Sequence, residues 1–271
     1  MGDLREALAE GHLRVYYQPK VKMIDGTVCE AEALVRWQHP MRGFVSPAVF
    51  IPFAEQIGKL RLITEWVVHD VLLQAAQWSE QGLFLCISVN VGVSDVEDAS
   101  FVTFLEKELA LCQVAPGSLC LEITETGVMR NPCEVLRNLE HLRSMGVKLS
   151  IDDFDTGYSS FAYLAKMPVH ELKIDQSFVM SMNECFENVS IVRSIIELGH
   201  ILGLSVIAEG VETQAVWQAL AVMGCDEAQG YLIAAPMPAQ DFLLWCKSGS
   251  CAHLLIKQLN MGEGGRPVRS F

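Results

Sequence analysis

Acidic, amide and lysine side chains stand where the apolar runs of this chain end. Glu32 follows Cys29, Asn90 follows Ile87 and Val89, Glu122 follows Leu119 and Leu121, and the pair Asp152 and Asp153 follows Leu149 and Ile151. Lys173 follows Leu172, Glu209 follows Val206 and Ile207, and Gln229 stands in the opening of the last run. A carboxylate within an apolar run is costly unless it is paired or bound to a metal. Glu32, Glu122, Asp152, Asp153 and Glu209, brought within a few ångströms, would repel pairwise by roughly 4 kcal/mol at an effective dielectric of about 20. Two divalent cations together with Lys173 balance that charge. Oxygen donors with one amide, and neither histidine nor thiolate, favour a hard ion, Mg²⁺ or Mn²⁺. Two such ions, with Asp152 bridging and Asp153 completing the second, suit in-line attack of water on a phosphoryl centre. A strand-borne lysine with acidic Mg²⁺ ligands also describes enolase-type proton abstraction. That alternative expects a separate capping domain, for which the residues before Leu13 are too few.

Such a constellation needs strand ends that converge on one face. Strand-like runs cover Leu13 to Val21, Val28 to Trp37, Leu83 to Val91, Leu119 to Ile123, Val147 to Ile151, Glu171 to Ile174, Leu204 to Ala208 and Ala228 to Ile233. Helical periods alternate with them. Asn131, Pro132 and Glu134 supply an N-cap, a first-turn proline and a capping-box acid, Val135, Leu136, Leu139, Leu142 and Met145 follow at helical spacing, and Gly146 stops the helix. Asn188 to Gly203 repeats the scheme with Ile191, Val192, Ile195, Ile196 and Leu202 on one side. Eight strands separated by helices fit an α/β fold of the closed (β/α)8 TIM-barrel type, with an open doubly wound sheet as the alternative. The short link around Asp25 and Gly26 is of hairpin length, so an antiparallel first strand is expected.

The chain has 271 residues, 51% hydrophobic and 20% charged, an ordinary globular balance that excludes disordered and coiled-coil classes. Its net charge of −13 argues against binding nucleic-acid polymers through a basic face, and against anionic lipid. The most apolar helical stretch, Leu60 to Trp78, is broken by Arg61, Glu65, His69, Asp70 and Gln74, so no membrane insertion is expected. The N-terminus reads as a helix with Asp3 and Glu6 in a capping box rather than a signal peptide. Nine cysteines without a C-x-x-C pair predict free thiols and a cytoplasmic location. Residues 1–250 read as one barrel domain and 251–271 as an extension with a disordered end. His39 reads as a turn residue, Trp66 and Trp78 as core, and Met180 to Asn183 as a connection.

The ordered motifs resemble the EAL-domain cyclic di-GMP phosphodiesterases of bacterial signalling. They are YYQPK at Tyr16 to Lys20, Glu32-Ala33-Leu34 in AEALVRWQHP, FIPFAE at Phe50 to Glu55, SVNV ending at Val91 and LEITET at Leu121 to Thr126. DDFDTGYSS at Asp152 to Ser160, LKID at Leu172 to Asp175, AEGVET at Ala208 to Thr213 and QGYLIAAPMP at Gln229 to Pro238 complete the set. The resemblance implies that Glu32, Asn90, Glu122 and Asp152 hold one metal and Asp152, Asp153 and Glu209 the second. It implies that Lys173 orients the attacking water, that Gln229 fixes water or metal ligands, and that Glu125 steadies the loop after Asp153. Gln18, Leu34, Arg36, Asn90, Asp153 and Glu212 are implied as substrate contacts. The implied reaction opens one phosphodiester of cyclic di-GMP to linear pGpG, with a homodimer and attached sensory or cyclase modules as partners. The rival is a catalytically silent cyclic di-GMP receptor, a type that usually lacks metal ligands this chain keeps. Asp155 replaces the glycine usual in DDFGTGYSS, and Ala234 and Ala235 stand where a basic residue is common, which implies one fewer contact to guanine or phosphate.

Overall fold

The computed structural model describes residues 7, 10–124, 132–154, 164–183 and 185–248. The Asp3 and Glu6 capping box, Glu125, Asn131, Asp155 and the 251–271 extension lie outside the described residues.

The strands are β1 (Leu13–Lys22), β2 (Val28–His39), β3 (Gly43–Val45), β4 (Cys86–Val91), β5 (Leu119–Thr124), β6 (Lys148–Phe154), β7 (Glu171–Ile174), β8 (Ser205–Ala208), β9 (Glu227–Ala228) and β10 (Met237–Pro238). β1 and β2 form the expected hairpin, with Leu13 opposite Trp37 and Gln18 opposite Glu32. Its turn is tied by Asp25, whose Oδ1 accepts from the Thr27 amide at 2.9 Å and from its hydroxyl at 2.6 Å. From β2 the pairing runs in parallel through β4, β5, β6, β7, β8 and β9, and β9 closes antiparallel onto β1. The sheet is therefore a closed eight-strand barrel in which β1 alone runs against the rest, not an open sheet. Short β3 and β10 flank β2 and β1 outside the ring.

The helices are α1 (Pro47–Gln56), α2 (Leu60–Glu80), α3 (Val93–Glu97), α4 (Ala99–Cys112), α5 (Pro132–Met145), α6 (Gln176–Met180), α7 (Phe186–Ile201), α8 (Gln214–Met223) and α9 (Ala239–Lys247). Their apolar stripes supply the core between sheet and helices, as Ile63, Val67, Val71 and Trp78 do from α2, and Val135, Leu139 and Leu142 from α5. In α7 the buried side is Val192, Ile195 and Ile196, whereas Ile191 and Leu202 are only half-buried. α9 brings Phe242 against Trp78 at 5.0 Å between ring centroids, and Trp78 against Tyr17 of β1 at 4.8 Å. No described helix is long and apolar enough to cross a membrane.

Strand alternation decides what fills the barrel. On β2, Ala31 and Ala33 face the helices, and Glu30 and Glu32 point the other way, inward. The same parity turns Gln18 and Lys20, Lys148 and Ser150, and Glu171 and Lys173 inward, and all but the half-buried Lys148 are buried. The interior is thus polar and ionic.

The last strand differs from the expected run of Ala228 to Ile233. Pairing stops after Ala228, and Tyr231 to Ile233 form a turn. A Cβ on Gly230 would lie 2.2 Å from the Val211 carbonyl oxygen, so glycine is required for this close approach. The Val211 amide donates to the Gln229 carbonyl at 3.0 Å, which pulls the chain off the barrel and onto the loop after β8. Gln229 accordingly follows the strand instead of lying in its opening. Met180 to Asn183, expected as a connection, is short helix ending in a 3₁₀ turn, with Met182 buried. His39 ends β2, and its Nδ1 accepts from the Met41 amide at 3.1 Å, the turn role expected of it.

Candidate active site

Lys173 stands at the centre of the barrel mouth. Its Nζ lies 2.5 Å from Glu209, 2.7 Å from Glu122, 3.1 Å from Asp152 and 3.6 Å from Glu32. These acids come from the middle of β2, the C-terminal halves of β5 and β6 and the residue after β8, so closing the barrel is what assembles them. Both oxygens of Glu122 are held by lysines: Lys173 donates to Oε2 and Lys20 to Oε1, each at 2.7 Å. Burial opposes ionisation of Glu122, but the two ammonium groups outweigh it and hold its pKa down to about 2.

The remaining acids are not so well supplied. Burial, reinforced by Asp152 and Glu32 and only partly offset by Lys173, pushes Glu209 up to about 8. Burial and then the neighbouring Asp152 and Asp175 push Asp153 up to about 6. Burial also raises Glu32. Positive charge is short here, and a divalent cation is the species that would supply it.

The backbone prepares a place for one. Successive strand residues point to opposite faces, which would separate Asp152 from Asp153. The register between β6 and β7 shifts between Ile151 and Phe154, and Asp153 takes φ +54°, in the left-handed region. One carboxylate oxygen each from Asp152, Asp153 and Glu209 then fall within 4.8 Å of one another. Glu32 is oriented by two amides: Asn90 Nδ2 donates to Oε1 at 2.8 Å and Gln229 Nε2 to Oε2 at 2.7 Å. Gln229 Nε2 also donates to Gln18 Oε1 at 2.9 Å, while its Oε1 is buried without a partner among the described residues. An all-oxygen donor set around an orphaned buried carbonyl fits hard divalent ions.

A cleft of about 670 Å³ opens beside Asn90. Leu34, Arg36 and Asn90 line it, with Ile51 and Glu55 from α1 and Ile63 from α2. The Arg36 guanidinium is half-buried, 6.0 Å above the Tyr16 ring.

The sequence profile of the EAL domain matches residues 1–236. The chain belongs to the EAL domain family. It is 40% identical over 242 residues to the bifunctional diguanylate cyclase/cyclic di-GMP phosphodiesterase MucR of Pseudomonas aeruginosa, covering 89% of this chain and 35% of that protein. It is 37% identical over 245 residues to the cyclic di-GMP phosphodiesterase PdeR of Escherichia coli, covering 90% of this chain and 37% of that one. The chain thus spans roughly a third of the length of these curated relatives. Among solved structures, the PaMucR phosphodiesterase in complex with c-di-GMP superposes with a TM-score of 0.86 at 40% identity, covering 89% of this chain and 98% of that one.

Within this EAL domain, Glu32, Asn90, Glu122, Asp152, Asp153, Lys173, Glu209 and Gln229 gather at one mouth of the barrel. Gln18 reaches them through Gln229, and its own Nε2 donates to the Ala234 carbonyl at 3.0 Å. Leu34 and Arg36 stand on the cleft. Glu212 is exposed in the loop leading into α8. Glu125 lies outside the described residues. The sequence reading missed Lys20, Glu30, Lys148 and Glu171, which form an ionic layer beneath the site. Lys20 also contacts Ser88 at 2.7 Å and Glu30 at 3.5 Å, and Lys148 reaches Glu30 at 2.5 Å and Glu171 at 3.5 Å. Their signal was the alternation itself, since each lies two residues from a predicted site residue or shares its parity.

Proposed function

We propose that this EAL domain hydrolyses one phosphodiester bond of cyclic di-GMP to linear pGpG. The observation that carries the reading is the charge-deficient carboxylate cluster around Lys173, set beside the Leu34 and Arg36 cleft. The activities of the relatives MucR and PdeR, with the c-di-GMP complex of the former, support the substrate.

Glu32, Asn90, Glu122 and Asp152 would hold one ion, and Asp152, Asp153 and Glu209 the second. Bound Mg²⁺ or Mn²⁺ neutralises the carboxylates and makes a water acidic enough to attack at neutral pH. Lys173 stays cationic, because the surrounding acids hold its pKa well above the ordinary value even against burial. Its Nζ donates to the attacking water and offsets charge developing on the phosphate. Gln229 offers its free Oε1 to the same water or to a metal, and Glu209 combines ligand and catalytic roles. Glu125, outside the described residues, would keep the supporting role that the resemblance implies. Arg36 pairs with a phosphate oxygen, Gln18, Leu34, Asn90 and Asp153 complete the contacts, and Glu212 accepts from a guanine edge. The water oxygen forms the new P–O bond while the ribose 3′-oxygen leaves and takes up a proton. A homodimer, attached sensory or cyclase modules and a cytoplasmic location belong to the same reading. The modules are supported by the greater length of the relatives, and the location by described cysteines that form no disulfide with one another.

The test is incubation with cyclic di-GMP and Mg²⁺ or Mn²⁺, followed by separation of nucleotides. pGpG is expected. Glu32→Ala should abolish turnover together with metal binding, whereas Lys173→Ala should suppress turnover and leave metal binding nearly intact. Equal loss of metal in both would refute the assignment of roles. Binding of cyclic di-GMP without product, in the presence of metal, would overturn the enzyme reading in favour of the silent receptor.

A further inference from the structure

Away from the barrel mouth, a second set of metal-ligating side chains lies where α2 packs against α4. His69 of α2 and Glu108 and Cys112 of α4 each offer one donor atom, and the three atoms lie within 4.8 Å of one another. The helices run side by side in the same direction. Arg61, two turns before His69, sits over the ring of Phe101, two turns before Glu108, at 4.7 Å. Glu108 and Cys112 are four residues apart and therefore share one face of α4. His69 Nδ1 is already 2.7 Å from Glu108 Oε2, so imidazole and carboxylate converge without rearrangement.

We propose that His69, Glu108 and Cys112 form a zinc-class site clamping α2 to α4, separate from the oxygen-lined centre. The donor chemistry selects the ion. One imidazole nitrogen, one sulfur and one carboxylate oxygen suit a borderline ion such as Zn²⁺, whereas Mg²⁺ and Mn²⁺ prefer the all-oxygen set at the barrel mouth. Neighbouring donors around tetrahedral zinc lie about 3.3–3.6 Å apart, so the His–Glu pair opens slightly and the sulfur closes in, within reach of side-chain rotation. His69 is 46% exposed at its side chain, which leaves the fourth position open to water.

Charge also favours occupancy. Cys112 is the last residue of α4, at the negative end of the helix dipole, which attracts cations. Burial and then Glu108 raise the thiol pKa in the metal-free protein, which opposes binding until the ion displaces the proton. On binding, the thiol loses its proton to solvent and the sulfur forms a Zn–S bond, so one thiolate and one carboxylate neutralise the dication. This inference stands independently of the phosphodiesterase reading.

Cobalt alone, added to the chelator-treated, reduced chain, tests it. One equivalent of Co²⁺ should produce a thiolate-to-cobalt charge-transfer band in the near ultraviolet. Zn²⁺ should displace it, and excess Mg²⁺ should not. Cys112→Ser should abolish the band with the far-ultraviolet circular dichroism unchanged. His69→Gln should weaken cobalt binding by about tenfold or more. Asp152→Asn, which alters only the oxygen-lined centre, should leave the band in place. No band with stoichiometric cobalt, or a band that survives Cys112→Ser, would overturn the proposal.

Discussion

Lys20→Met tests whether the ionic layer beneath the site holds the barrel together. The ammonium of Lys20 is wholly buried, donates to Glu122 and Ser88 at 2.7 Å each and lies 3.5 Å from Glu30. Methionine keeps an unbranched stem as far as its fourth atom, so the change removes the ammonium and its charge with little loss of volume. Stripping one partner from a buried ion pair costs about 3–5 kcal/mol when the other is left uncompensated. Here Glu122 keeps Lys173 and Glu30 keeps Lys148. Neither acid is orphaned, so the expected cost falls below that range, about 2 kcal/mol. Urea unfolding of the metal-free chain at neutral pH, followed by circular dichroism, measures it. A cycle with Glu122→Gln isolates the pair: the double variant should be less destabilised than the sum of the singles by about 1 kcal/mol or more. A loss below about 0.5 kcal/mol, the range of inert surface changes, or strict additivity of the two variants would refute the reasoning.

Burial and then Glu30 push Glu171 up to about 7 from its usual 4.5, so the folded state binds the extra proton. Its stabilising contribution is full below about pH 4.5 and declines as pH rises towards and through about 7; in Glu171→Gln the decline in unfolding free energy over that window should be shallower, and an unchanged slope would count against it. Saturating Mg²⁺ or Mn²⁺, at about a hundred times its Kd, should stabilise the chain by about 2.7 kcal/mol in thermal unfolding, and Asp152→Asn should erase most of that gain. Gly230→Ala should destabilise by about 1–3 kcal/mol, because its Cβ would sit 2.2 Å from the Val211 carbonyl oxygen; a neutral result in denaturant unfolding would mean that this close approach is dispensable.

Much of the fold is written in local signals. The Asp25-Gly26 link announces the hairpin and hence the antiparallel first strand, and Gly146, at φ +94°, ends α5 where its helical period stops. The polar groups at the strand ends were legible because charge within an apolar run demands an explanation. The deeper layer of Lys20, Glu30, Lys148 and Glu171 carries the same period-two signal, but it lies well inside the strands, where attention to their ends overlooks it. The run after Ala228 misleads for another reason. Tyr231, Leu232 and Ile233 look like strand, yet the contact of Gly230 with Val211, distant in sequence, takes them out of the sheet.

The sequence by itself determined the residue types, their order and their strand parity, because alternation and helical period are properties of the local backbone. From these follow the barrel class and an all-oxygen site. Only the tertiary structure decided which charges meet. Lys20 of β1 reaches Glu122 of β5 because barrel closure brings non-adjacent strands face to face across the interior. Asp152 and Asp153, which a regular strand would send to opposite faces, serve one site because the shifted register and the left-handed Asp153 turn both carboxylates together. The Asp153 amide donates to Asp152 Oδ1 at 3.0 Å within the turn, but the cation that draws Asp152 into the site is Lys173 of β7, 3.1 Å away, which neighbouring residues in the chain cannot supply.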